Sequence, residues 1–298
     1  MEVNGNEGEA EGEGEGVSMR IDSHHHLWDM KGAPREWLSA AGLEPIKKNF
    51  TMEDYRDECS AARIDSSLLV QSSSSYEELN EMFDVAETEK MITGVVAWID
   101  MSAPDSIEIL EKSLDLPGSK KLVGIRDGAQ GRADTNWLSS AQVVSNIRKL
   151  ARFDLPFDLL VDPPHLRASV ELVQKLPDNF FVLDHIGKPN IANGEISAWE
   201  SIIQELATPD NVFCKVSGLV TEANWHSWEN SDFKPYFEVV LEAFGADRLM
   251  YGSDWPVCKL AANYEEVVEL AEYLISDLSE TEKAKFWGQN AVEAYRLQ

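Results

Sequence analysis

The chain has 298 residues, 43% hydrophobic and 27% charged, enough apolar material for the core of one α/β domain. A net charge of −27 argues against nucleic acid or an anionic membrane as partner, because a surface of that sign repels both. No apolar run approaches the roughly 18 residues that a membrane-spanning helix needs, and the N-terminus lacks the basic and apolar regions of a secretory signal.

Residues 1–18 are Gly/Glu-rich, with Glu2, Glu7, Glu9, Glu11, Glu13 and Glu15 unopposed by any Lys or Arg. Such a stretch cannot bury a core and reads as a disordered, inert tail ahead of a single domain over residues 19–298. Cys59, Cys214 and Cys258 are too scattered for a disulfide framework or a zinc knuckle, which points to a reducing compartment, the cytosol.

From residue 20 onward, short apolar, β-prone runs recur at 20–26, 66–71, 92–100, 122–126, 157–162, 180–185, 211–217 and 248–254. Continuous rather than alternating apolar residues indicate strands covered on both faces, as in a parallel sheet. Three- and four-residue apolar spacing predicts helices over 51–64, 75–89, 141–151, 166–176, 197–206, 236–244 and 264–276. Capping boxes are expected at Ser75/Glu78 and Ser197/Glu200. Two closing helices follow, over 280–287 and 290–297. Eight strands alternating with helices predict a (β/α)8 TIM barrel. A doubly wound sheet ranks lower, because no strand is followed by a Gly-rich phosphate turn.

Active sites of such barrels lie at the C-terminal strand ends. The first strand ends Asp22-Ser23-His24-His25-His26, and residues two apart on a strand share a face. His24 and His26 can therefore point into the barrel and form half of a metal site, with His25 outward. An expression tag is the bland alternative, but the run sits in a strand and continues into Leu27-Trp28-Asp29. The last strand ends Gly252-Ser253-Asp254-Trp255, where Asp254 can hold a metal or take a proton from water; alone, it could equally cap a helix. At the end of the sixth strand, Asp184 and His185 should face opposite ways, which leaves His185 central and Asp184 as its structural partner.

Together IDSHHHLW, VLDHIGKP, CKVSGL and YGSDWPVC resemble the lactonase branch of the amidohydrolase superfamily, the group of L-fuconolactonases and 2-pyrone-4,6-dicarboxylate lactonases. The resemblance runs from about residue 20 to the C-terminus and takes in LVQSSSSYEELN, GVVAWIDMSAPDS and NAVEAYRL. It implies a barrel, lactone hydrolysis and Asp254 as the proton-transferring residue. It places His24, His26, His185 and Asp254 in the central cluster and Arg126 and Lys215 where the group presents cations to substrate. An Arg and a Lys there could hold a carboxylate or polarise a carbonyl; the bland alternative is a pair of salt bridges. The chain departs from fuconolactonases at Asp127, commonly His, at residues 130–134, where a QDEPD-like run is usual, and at His25, usually Gln. These changes bear on the sugar rather than the reaction.

No cofactor is expected to be obligatory, with room for at most one divalent metal, zinc. The fourth strand ends in Arg126 rather than a bridging ligand, and the fifth in Asp162-Pro163-Pro164, with His165 beyond in a loop. Trp28 and Trp255 flank the motif residues and are expected to form aromatic walls for a sugar ring; Trp98, Trp199 and Trp287 read as packing residues. The reading is a hydrolase that opens a sugar-derived or carboxylated lactone to its hydroxy acid. The rivals are a zinc-dependent decarboxylase and a non-catalytic barrel that binds sugar acids.

Overall fold

A computed structural model describes residues 19–298; the acidic tail lies outside the described residues. Eight parallel strands form one sheet in chain order. They are β1 (Ile21–His25), β2 (Ser66–Val70), β3 (Ile92–Ala97), β4 (Leu122–Arg126), β5 (Phe157–Leu159), β6 (Phe181–Leu183), β7 (Val212–Val216) and β8 (Leu249–Tyr251). The ends meet through a parallel bridge between His25 and Trp255, which closes the expected (β/α)8 barrel.

Helices cover the outside: α1 (Met52–Ser60), α2 (Tyr76–Thr88), α3 (Ser106–Ser113), α4 (Ala141–Leu150), α5 (Leu166–Lys175), α6 (Ser197–Leu206), α7 (Leu219–Glu222), α8 (Asn230–Phe244), α9 (Tyr264–Leu274), α10 (Glu280–Ala284) and α11 (Asn290–Tyr295). No helix among the described residues is long and apolar enough to cross a membrane. Sequence periodicity overlooks α3: it has only two turns, and two of its four buried positions are serines, Ser106 and Ser113. It also starts α8 late, because Pro235 lies inside that helix; the first turn is anchored by buried Phe233 and a Glu229/Asp232 capping box. Ser75 does cap α2, but through Glu77 N, while Glu78 turns away to another task. Ser197 is the first helical residue of α6 rather than its cap.

Inside the barrel, Ile21, Leu68, Val70, Val96, Val182, Phe213 and Met250 pack against Ala291, Ala294 and Tyr295 of α11. The last helix therefore plugs one end of the barrel, and Tyr295 reaches from it toward the buried polar side chains described below.

Candidate active site

The closure of the barrel also assembles the site. Asp254 N donates to His24 O at 2.8 Å, and His26 N donates to Trp255 O at 2.7 Å. Asp22 locks this junction from outside the barrel. Its carboxylate accepts from Ser253 N (2.8 Å), Ser253 Oγ (2.6 Å), Tyr55 Oη (2.8 Å) and Tyr264 Oη (3.0 Å). His25, also outward, stacks on Tyr55 at 4.1 Å between ring centroids. Strict alternation would put Asp22 on the face opposite His25; the register with β2 shifts between these two residues, and the irregularity re-phases the strand.

His24, His26, His185 and Asp254 do converge. Asp254 Oδ1 lies 3.3 Å from His26 Nε2, 3.8 Å from His24 Nε2 and 4.0 Å from His185 Nε2. His185 Nδ1 is held 2.8 Å from Ser217 Oγ, and His26 Nδ1 2.7 Å from Val70 O. Gly218 and Gly252 make room for these rings. A Cβ on Gly218, at φ +62, would stand 2.6 Å from His185 Nδ1, and one on Gly252 2.8 Å from His24 Cβ.

Asp184 was expected to face away from His185, but both point inward. β6 ends at Leu183, and His185 takes left-handed backbone (φ 54), so strand alternation no longer applies. Asp184 Oδ2 accepts from Arg126 Nη1 at 2.9 Å, and its Oδ1 lies 3.4 Å from His24 Nδ1.

Lys215 was expected to meet substrate; instead it lies under the site without solvent exposure. Its Nζ donates to Asp158 Oδ2 at 2.7 Å and lies 3.3 Å from His24 Nδ1. Asp158 Oδ2 also accepts from Tyr295 Oη at 2.7 Å. Asp158 escaped sequence reasoning because it sits singly in an apolar run, and Tyr295 because it lies on the closing helix, away from every strand end.

Above the cluster opens a cavity of 450 Å³, lined by His26, His185, Asp254 and Arg126 among others. A larger cavity of 610 Å³, between the segment after β1 and α2, contains none of the cluster, so the chemistry is assigned to the smaller one. The expected aromatic walls are not where the sequence put them. Trp255 is fully buried between Phe50 and Tyr55. Trp28 lines the other cavity, with its Nε1 donating to Lys48 O at 2.7 Å. The tryptophan that lines the central cavity is Trp37, which lies in a one-turn 3-10 helix (Glu36–Ser39) further along the loop after β1. Lys188 also lines the cavity, with its Nζ 2.5 Å from Glu222 Oε1.

Asp127, where fuconolactonases commonly have His, organises loops. It accepts from Trp98 Nε1 (3.0 Å), Met101 N (2.8 Å) and Arg132 Nη2 (2.9 Å), and burial lifts its carboxyl to about 6. His165 is buried against Asp162 and Arg132 O, away from the cluster.

Burial holds the His24 imidazole well below its ordinary range and His185 at about 4, so both are neutral near pH 7, the form that ligates metals. Burial opposes ionisation of Asp254, but the imidazoles of His185, His26 and His24 that face it outweigh burial and hold its carboxyl below the usual range. Likewise burial works against Asp184, but Lys215, His24 and Arg126 keep it ionised.

This donor set fits a divalent cation. The ligand atoms of His24, His185 and Asp254 lie within 4.8 Å of one another. Val70 O can only accept, so His26 Nδ1 carries a proton, and in neutral His26 the lone pair of Nε2 faces a carboxylate oxygen. Two acceptors facing each other call for a cation or a proton between them.

Comparison with known proteins agrees with this geometry. The amidohydrolase family matches residues 21–297. The chain belongs to that family. Among its relatives, the L-fucono-1,5-lactonase of Burkholderia multivorans (strain ATCC 17616 / 249) is 33% identical over 291 residues, 94% of this chain and 97% of that one. The L-fucono-1,5-lactonase of Burkholderia ambifaria is 32% identical over 285 residues, again 94% and 97%. The crystal structure of an amidohydrolase from Burkholderia multivorans with bound Zn superposes with a TM-score of 0.87 at 32% identity, covering 94% of this chain and 100% of that one.

Proposed function

We propose that this amidohydrolase opens an uncharged, sugar-derived lactone to its hydroxy acid. The observation that carries the reading is one ionised carboxylate, Asp254, ringed by three imidazoles in a cavity whose cations already have partners. Arg126 is paired with Asp184 and Lys188 with Glu222, so among the described residues the lining offers no unpaired cation to a substrate carboxylate. That favours a neutral polyhydroxylated ring over a carboxylated one. The L-fucono-1,5-lactonases to which the chain is similar act, by name, on such rings.

Asp254 takes a proton from water as the water oxygen attacks the lactone carbonyl. Arg126, whose charge is shared with Asp184, lines the cavity where the negative oxygen develops. When the ring C–O bond breaks, Asp254 returns the proton to the leaving alkoxide, giving a hydroxyl and a carboxylic acid, which releases its own proton to solvent and leaves the carboxylate. His26 and His185, oriented by Val70 O and Ser217 Oγ, fix the water and the carbonyl. A divalent cation held by His24, His185 and Asp254, with His26 beside them, would supply Lewis-acid polarisation.

The test is proton release at constant pH from a panel of aldonolactones, amides and aryl esters, with metal content measured on the same sample. Aldono-1,5-lactones should turn over with the highest kcat/KM. A larger kcat/KM for any amide or aryl ester than for every sugar lactone would replace this reading with a general amidohydrolase.

A further inference from the structure

Trp37 is 38% exposed, which is unusual for so large an apolar ring, and it stands at the lip of the cavity that holds His26, His185 and Asp254. Its N–H is occupied, donating to Ser72 O at 2.8 Å. What the ring offers a ligand is therefore its π surface rather than a hydrogen bond. The indole is also fixed in place. It packs edge-on against Trp28, with ring centroids 5.7 Å apart and planes at 88°. The segment that carries it is tied to the loop after β2 by one buried ion pair. Arg35 Nη2 donates to Glu78 Oε1 at 2.8 Å, and Arg35 Nε to Ser72 Oγ at 2.6 Å. Glu78, only 2% exposed, also accepts from Ser72 N at 3.0 Å, Ser72 Oγ at 2.5 Å and Ser73 N at 2.7 Å. This is the task for which Glu78 leaves its expected place in a capping box. Ser72 lines the same cavity. One buried carboxylate thus sets the distance between an apolar face and a polar one on a single wall.

We infer that Trp37 is the specificity-determining wall of this active site, stacking on the C–H face of a sugar-lactone ring, and that Glu78 and Arg35 are the positioning residues that hold it against Ser72. An indole face beside hydroxyl-binding groups recognises a pyranose-like ring, whose C–H bonds lie on one side and hydroxyls at the edge. The inference rests on the lactonase reading above but is tested separately from it. In Trp37→Ala, KM for an aldono-1,5-lactone should rise about tenfold with kcat nearly unchanged, and Trp37→Phe should restore most of the loss. γ-Butyrolactone, whose five-membered ring leaves most of a 450 Å³ cavity empty, should lose less than twofold. Binding of the corresponding aldonic acid, measured by calorimetry, gives a second readout that needs no turnover. It should weaken about tenfold in Trp37→Ala even if the wild-type protein opens no lactone. Glu78→Asp should weaken binding in the same direction, and the double variant Glu78→Asp/Trp37→Ala should bind no worse than Trp37→Ala alone. If Glu78→Asp does not fold, Arg35→Lys makes the same test from the other partner, since it keeps the charge and loses the fork to Ser72. Equal losses for the sugar lactone and γ-butyrolactone, or unchanged aldonate binding in Trp37→Ala, would overturn the wall. Additive effects in the double variant would reduce Glu78 to a purely structural role.

Discussion

Lys215 Nζ donates to Asp158 Oδ2 at 2.7 Å inside the barrel, where neither side chain reaches solvent. The same Nζ lies 3.0 Å from Asp184 Oδ1, an ionic contact rather than an aligned hydrogen bond. One lysine therefore bridges two buried carboxylates, and Arg126 supplies the second positive charge by pairing with Asp184, which also faces His24. The floor of the site is a charge network whose members depend on one another.

Lys215→Met keeps most of the length of the side chain but strands Asp158 in a low-dielectric interior and leaves Asp184 to Arg126 alone. Removing one partner of a buried pair costs about 3–5 kcal/mol, so the variant should unfold at markedly lower denaturant. Adding Asp158→Leu should recover part of that loss, because it removes the unpaired charge. Urea unfolding followed by circular dichroism measures both. A Lys215→Met protein as stable as wild type would mean that the network is not electrostatically coupled.

Asp254→Asn keeps the shape of the side chain and removes its capacity to take a proton. Turnover should fall by roughly 10²–10⁴, with an unchanged circular dichroism spectrum. Retention of more than about a tenth of wild-type kcat/KM would remove Asp254 as the base.

Asp127 gives a pH signature. Burial, opposed by Met101 N and Arg132, raises its carboxyl from 3.8 to about 6. Between those values the folded protein binds more protons than the unfolded chain, so the contribution of this group is full below 3.8 and lost as pH rises through about 6. The melting temperature of Asp127→Asn relative to wild type should therefore shift in favour of the variant as pH rises from about 4 to 6. Carbon NMR of the Asp127 carboxyl should show a midpoint near 6; a midpoint below 4 contradicts this account.

The barrel and the His24, His26, His185 and Asp254 cluster were legible in the sequence because both depend on local order. Apolar runs mark the strands, and strand ends mark the site. What was not legible depends on contacts between distant segments. Lys215 follows Cys214 and precedes Val216, and nothing in that run tells whether its amine meets substrate or two aspartates, one on β5 and one just past the end of β6. Asp184 defeated the alternation rule because β6 stops one residue before it. Trp28 and Trp255 drew attention by adjacency to motifs, yet adjacency in sequence put them behind the site. Trp37 is held at the cavity by contacts to the loop after β2 and by the Arg35–Glu78 tie, which spans 43 residues and has no periodic signal.

The last prediction concerns the charge of the substrate. Lys188 and Glu222 meet at 2.5 Å, with side chains 14% and 22% exposed, and Lys188 lines the catalytic cavity. In the wild-type protein Glu222 cancels Lys188, a cation near the mouth that a substrate carboxylate could use. Glu222→Gln leaves the lysine charged without an anionic partner, in a site still open to water. Partial exposure screens the effect, so a gain of roughly fivefold is expected rather than the hundredfold of a dry pair. The quantity to measure is the ratio of kcat/KM for an aldarolactone with a free carboxylate to kcat/KM for the matching aldonolactone. That ratio should rise in Glu222→Gln and fall back as salt is raised, because screening weakens an exposed charge more than it weakens ring stacking. If wild type already prefers the carboxylated lactone, or the ratio does not move on substitution, neutrality of the cavity does not select the substrate.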